Sequence, residues 1–479
     1  MRYIILLLIA IISVGCTSPS YSVIDRPSTE RPDAANAQII DYIDKRLEEE
    51  YYRLDEIDQK SNSFNRTLSW KQYLTNSLQR LTTNTDDGYV TKENKRVLYS
   101  YIREISSTRA TTTTGFGIGL YYSVVAMGEN ELGFVIDNVY ADSPAARADI
   151  RRGDIIRKIN NANITRDNYS SLFNSIENNT ASELRLELHR QTAANANEAS
   201  IVTTLQRGQY AENPVVHHSV ITIPGSNKRI GYLVYSSFNV DFNDQLLEAM
   251  QYLANEGIDS FILDLRTNGG GSIDSAVKLC SALLGAEYSG ATLCELKRNP
   301  RNKLHTGSSI CSLEDVGVSL NMRELTVICS GFSASASELL VTGLRGLDIP
   351  VTLIGSVTEG KNCGMDVTRR TINGIYLEYA PITFMCYNAV GFGDWGEGLT
   401  PDIDLTQKNA MGVSDEHYPL PRTSWGDMSH DIGLAAAVAH VTGQKIGTAS
   451  ITTTRMGGNI TPAIEIDREG EGIRFYLEE

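Results

Sequence analysis

Apolar positions recur along this chain with two periods, and the switches between them mark out its elements. Over residues 34–106 the spacing is helical: Ile39, Ile40, Ile43 and Leu47 fall three and four apart, on one helix face. Residues 68–81 and 97–105 repeat the pattern and predict two more helices. The threonines at 111–114 break it. Short strand-like runs follow, G-F-G-I-G-L at 115–120 and G-F-V-I-D-N-V at 133–139, then S-P-A-A-R-A-D-I and R-R-G-D-I-I-R-K-I-N. From Arg229 strand and helix patterns alternate. A strand I-G-Y-L-V-Y leads to a helix near 244–254, a strand at 260–266 and a helix at 272–284. Strands at 325–329 and 351–355 flank a helix opened by Glu338, and a further strand covers 375–384. Such alternation predicts a largely parallel sheet. Residues 431–441 read as a last helix, and 443–479, rich in threonine and glycine, as a loose β-rich tail.

The start of the chain differs from the rest. Arg2 precedes an apolar run that ends in Val14-Gly15-Cys16. The run is too short to span a bilayer and reads as a secretory leader, 1–16. Small residues before Cys16 resemble a bacterial lipoprotein box, with Ser13 where leucine is usual, so Cys16 is the expected lipidation site. A lipid there would tie the chain to a membrane surface. Residues 17–33, with Pro19, Pro27 and Pro32, read as a tether.

Composition narrows the partners. The 479 residues are 41% hydrophobic and 21% charged, ordinary for a globular protein with room for several domains. A net charge of −15 argues against a nucleic-acid partner. Removing Cys16 leaves six of seven cysteines in what would be an oxidising compartment. Cys294 with Cys311, and Cys363 with Cys386, are then candidate pairs, while Cys280 and Cys329 suit a buried core. His217-His218 stand before the alternating region with no ligand-spaced cluster around them, so neither metal nor cofactor is expected.

The candidate chemistry lies at 326–364. The strand T-V-I-C-S breaks at Gly331, and F-S-A-S-A-S-E leads into the helix. A serine at a strand-to-helix turn sits where N–H groups point at an incoming anion. Serine needs a base, and no histidine lies between His305 and His417, so Lys361 is the nearest basic side chain. A lysine base must be neutral, hence desolvated. The alternative from spacing alone is a tight serine/alanine turn with a surface lysine. A third run, F-I-L-D-L-R-T-N-G-G-G at 261–271, ends in glycines that permit close backbone approach and a second set of donors.

Together, I-L-D-L-R-T-N-G-G, S-A-S-A-S-E and G-K-N resemble the C-terminal processing (tail-specific) protease family of Ser–Lys endopeptidases, over roughly 35–405. The resemblance implies an α+β multidomain chain: an N-terminal helical region (34–112), an α/β core of the ClpP/crotonase-like type (215–410), a helical segment (411–446) and a tail (447–479). Residues 113–207 are similar to a PDZ domain, in which Gly115, Phe116, Gly117 and Ile118 would bind a peptide's C-terminal carboxylate. By resemblance Ser335 is the nucleophile and Lys361 the base. Gly270, Gly271 and the N–H of Ala336 hold the oxyanion, and Ser333 and Ser337 are dispensable. Three positions depart from the pattern: Gly269 replaces a proline, Gly346 an acidic residue (with Asp348 nearby) and Met365 a glutamine. Glu338, Glu359 and Asp366 are left as candidates to orient the lysine amine, and Phe238 as core or cleft wall. The expected function is cleavage of proteins with accessible C-terminal tails, in the bacterial cell envelope on a lipid anchor. The competing reading is an inactive PDZ-bearing scaffold that binds tails without cutting them.

Overall fold

The computed structural model describes residues 34–81, 86–90, 96–105, 114–177, 183–192, 195–407, 418, 423–444, 461–462 and 474–475. The leader, Cys16 and the tether lie outside the described residues. Helices α1 (Ala34–Glu50), α2 (Leu54–Lys60) and α3 (Trp70–Leu78) come first. Their apolar stripe, including Ile39, Ile43, Leu47 and Leu74, is buried against Leu377, Tyr379, Ile382 and Met385 from much later in the chain. The helix expected at 97–105 is absent. Tyr101–Glu104 is instead a strand, antiparallel to Ile375–Ala380 with Tyr101 opposite Ala380. Tyr101 and Ile102 favour strands, and a waiting sheet edge decides against a weak helical spacing.

A second unit holds β1 (Thr114–Gly117), β2 (Leu120–Ala126), β3 (Leu132–Val139), β4 (Ile155–Ile159), helix α4 (Tyr169–Glu177), β5 (Glu183–Thr192), β6 (Asn195–Gln206) and β7 (Gly208–Ala211). Its sheet runs β6-β5-β4-β3-β2, while β1 pairs with β7. Phe134, Ile136, Ile156, Phe173 and Leu188 form its core. Between β1 and β2, Gly119 has φ +78°, and a Cβ there would lie 2.1 Å from that of Ser143, so only glycine makes this turn.

The third unit is the alternating region: β8 (Val215–Thr222), β9 (Arg229–Tyr235), α5 (Asn243–Asn255), β10 (Ser260–Asp264), α6 (Ile273–Leu284), β11 (Thr292–Arg298), β12 (Ser309–Ser312), β13 (Leu325–Cys329), α7 (Ala336–Gly346), β14 (Val351–Gly355), β15 (Cys363–Met365), β16 (Ile375–Ala380), β17 (Ile382–Asn388), β18 (Ile403–Asp404) and α8 (Ile432–Thr442). The main sheet is ordered β8-β9-β10-β13-β14-β18, parallel throughout except for β8. Alternate residues part to its two faces. Leu233, Leu263, Val327 and Leu353 face α5, α6 and α7. Tyr232, Ile262, Ile328 and Ile354 face α8. Burial on both faces explains why these strands read as continuous apolar runs. A smaller sheet, β12-β11-β17-β15, packs alongside. In it Cys294 stands opposite Cys311, yet the six described cysteines are all free, so neither expected disulfide is present.

Candidate active site

Strands β10, β13 and β14 end side by side, and the three quoted motifs are the turns that follow them, where open α/β sheets place their sites. Over residues 325–344 every residue is buried except Ser335. Its backbone has φ +55°, outside the ordinary wells of a residue with a Cβ. Such strain survives only where the surroundings enforce it. Here they do: Ser330 Oγ donates to Arg266 O (2.6 Å), Ser333 Oγ to Leu265 O (2.8 Å) and Ser337 Oγ to Asn268 O (2.9 Å). The neighbouring hydroxyls are thus spent on the backbone of the glycine turn, and Ser335 alone in this stretch is partly exposed.

The glycine turn is held by Asn268, which is fully buried. Its Nδ2 donates to Tyr235 O and its Oδ1 accepts from Gly270 N, both at 2.8 Å. The amide of Gly270 is therefore engaged within the turn. Gly271 pairs with Phe238 as an isolated parallel bridge, made by the Gly270 carbonyl and the Ser272 amide. That leaves Gly271's own N–H directed away from Phe238. A Cβ on Gly270 would lie 2.8 Å from Ser335 Cβ and 3.0 Å from Ala336 N, so its absence lets the two turns touch. Beneath them Arg266, 3% exposed, pairs with Asp264 (2.5 Å) and Asp431 (2.7 Å), which accounts for the charged residues of D-L-R in a buried strand.

Glu338 joins this turn to the lysine loop. Its Oε2 accepts from the amides of both Ser335 and Lys361, at 2.9 Å each. Its Oε1 accepts from Thr358 Oγ1 (2.6 Å) and Gly360 N (2.7 Å). Burial lifts the carboxyl to about 7 against the pull of these bonds. Lys361 is 3% exposed, and burial depresses its ammonium below the usual lysine range, with Cys363, Asp87 and Glu359 working the other way. Its Nζ lies 4.9 Å from the ring centre of Tyr99. Tyr99 is fixed by Asp87, which accepts from the amides of Tyr99 and Ser100, from Ser100 Oγ and from Tyr51 OH.

None of the three carboxylates left as candidates forms an ion pair with Lys361. Glu338 serves backbone amides, Glu359 lies 3.5 Å from Tyr99 OH, and Asp366 binds Arg298 and Thr383. Tyr99, Asp87 and Thr358 escaped the sequence reading. The first two belong to the N-terminal region, and local spacing carries no sign of them. Asn268 and Glu338 were inside the quoted motifs, but their roles show only in the bonds they make.

The stretch expected to cradle a carboxylate, Gly115 to Ile118, is mostly strand. Gly115, Phe116 and Gly117 lie within β1, opposite Tyr210, Gln209 and Gly208, and the turn itself is Ile118-Gly119. Phe238 is 2% exposed and lies against the glycine turn, combining core and wall. His217 lies on the sheet-edge strand β8, where it contacts Ser219 and the ring of Tyr232. Among the described residues no three His, Cys, Asp or Glu side chains are grouped to hold a metal ion.

Comparison with known proteins follows the same division. Residues 229–405 match the model of peptidase family S41, and residues 135–190 that of the PDZ domain. A probable CtpA-like serine protease of Staphylococcus aureus (strain bovine RF122 / ET3-1) is 23% identical over 372 residues, 73% of this chain and 68% of the relative. Its counterpart in S. aureus strain COL is 24% identical over 267 residues, 55% of this chain and 48% of the relative, so the chain spans about half of that protein. A putative S41 protease from Bacteroides fragilis shares the fold, with a TM-score of 0.66 at 21% identity, over 87% of this chain and 99% of that one. The peptidase match begins at β9 and ends at β18, and so encloses all three turns; these similarities support a serine-type peptidase related to the C-terminal processing proteases.

Proposed function

We propose that the chain is a Ser–Lys endopeptidase that cuts proteins at or near accessible C-terminal tails. Ser335 Oγ attacks the peptide carbonyl, neutral Lys361 takes its proton, and the resulting ammonium returns it to the leaving amine. The N–H groups of Gly271 and Ala336 receive the oxyanion, and that of Gly270, engaged by Asn268, shapes the turn. The observation that carries this reading is the single half-exposed, strained serine in a buried stretch, tied through one carboxylate oxygen to the backbone of a buried lysine. The PDZ module captures substrate tails at the Ile118-Gly119 turn and the edge of β2, and lipid on Cys16 holds the enzyme in the bacterial envelope, periplasmic or outer-membrane associated.

Incubation with an unstructured protein, parent beside Ser335→Ala, tests the reading. The variant should keep its fold and lose cleavage by roughly 10⁴–10⁶. Cleavage at more than about a tenth of the parental rate would remove Ser335 from the mechanism. A parent that binds tails but never cuts would favour the scaffold.

A further inference from the structure

Strand β2 lies at the edge of the PDZ sheet: β3 pairs along one side, with Leu120 opposite Val139 and Ala126 opposite Leu132. An open edge of this length offers unpaired N–H and C=O groups to any passing strand. Here the other side is taken by the chain itself. Thr461–Pro462 pairs antiparallel, Thr461 opposite Ala126 and Pro462 opposite Val125. Arg474–Phe475 pairs parallel, Arg474 opposite Ser123 and Phe475 opposite Val124. The sequence around both suits the task. Ile464 and Ile466 alternate with Glu465 and Asp467, and Ile473, Phe475 and Leu477 with Arg474, Tyr476 and Glu478. That period of two is what a strand laid on a sheet edge requires.

We infer that Thr461–Pro462 and Arg474–Phe475 are an internal occupant of the PDZ peptide-binding edge, seated where a substrate tail would add as a strand. Each backbone group on that side of β2 bonds one strand at a time, so the seated segment and an incoming peptide exclude each other over 123–126. Helix α8 ends at Thr442, so a short covalent link holds the segment close, at an effective concentration in roughly the mM range. A substrate tail must displace it, and apparent affinity falls by the fraction of time the edge stands open. The segment then acts as a threshold, passing tails that pair well with β2 and turning away weak ones. The exclusion part of this inference rests on tail capture by the module; the seating of the segment does not.

The test uses the full chain, a truncation ending at Gln444, and Phe475→Pro, which removes one ladder donor without shortening the chain. Two quantities are read: amide exchange over residues 123–126, and binding of a fluorescent peptide with a free apolar C-terminus. Truncation should speed exchange there, and Phe475→Pro should do so in part. Peptide affinity should rise about tenfold if the segment is seated nine-tenths of the time. A synthetic 458–479 peptide added to the truncated protein should restore protection and expel the probe. Exchange unchanged in both variants would overturn the inference, whatever the probe does. Faster exchange with no probe binding to any form would uphold the seat and sink tail capture instead. Faster exchange with probe affinity unchanged would overturn the exclusion.

Discussion

A lysine serves as a base only while its ammonium is costly, and at Lys361 burial imposes that cost. In the proposed dyad the neutral amine is the working form, so cleavage should rise with pH through the depressed pKa and level off below the usual lysine value of about 10.4. The unfolded chain binds this proton more readily than the native one, so the same group makes stability rise with pH. Lys361→Met, which removes the buried cation, should therefore unfold at higher denaturant at neutral pH while abolishing cleavage; equilibrium unfolding followed by fluorescence checks this. The flanking serines have the opposite balance. Ser333 accepts from the Ser330 amide and donates to Leu265 O. Alanine there should leave the chemistry in place and cost about 1–3 kcal/mol of stability, the penalty for stranding buried polar groups. Sequence set the three serines of S-A-S-A-S-E side by side, and only resemblance singled out Ser335. Their difference lies in bonds to 265–268, some seventy residues away, which no local pattern encodes.

Among the elements, the N-terminal region departs furthest from its sequence reading. Its helices were legible because an amphipathic stripe needs only local spacing, and the parallel sheet because both its faces are buried. The strand Tyr101–Glu104 was not, since its partner Ile375–Ala380 lies far along the chain and decides its conformation. That pairing brings Tyr99 over the lysine amine. Tyr99→Ala should admit water, ease the penalty on the ammonium, raise its pKa and move the activity profile to more alkaline pH. Tyr99→Phe keeps the ring and should leave the profile close to parental. Rate against pH for the two variants separates a wall that desolvates the base from one that merely packs, since loss of packing alone would lower rates without shifting the profile.

At the scale of the whole molecule, three units meet around one set of turns. The N-terminal region covers the lysine, the peptidase sheet aligns serine and glycines, and the PDZ module seats on the core through Arg152. That guanidinium lies 3.7 Å from the ring centre of Trp425 and 3.9 Å from Asp431, the carboxylate that also holds Arg266. The anchor proposed at Cys16 acts at this scale too: Cys16→Ala should move the protein from the membrane to the soluble envelope fraction, and a parent that takes up no fatty-acid label would end that reading. The pairing of Ser335 with Lys361 is tested most directly by its reaction with a serine-directed acylating probe, read as mass added to the peptide bearing residue 335 from neutral to alkaline pH. The parent should be labelled on Ser335 at a rate that rises with pH, and Lys361→Arg, permanently protonated, should be labelled far more slowly at every pH. Label on Ser333 or Ser337, or a Lys361→Arg variant that reacts at the parental rate, would contradict it.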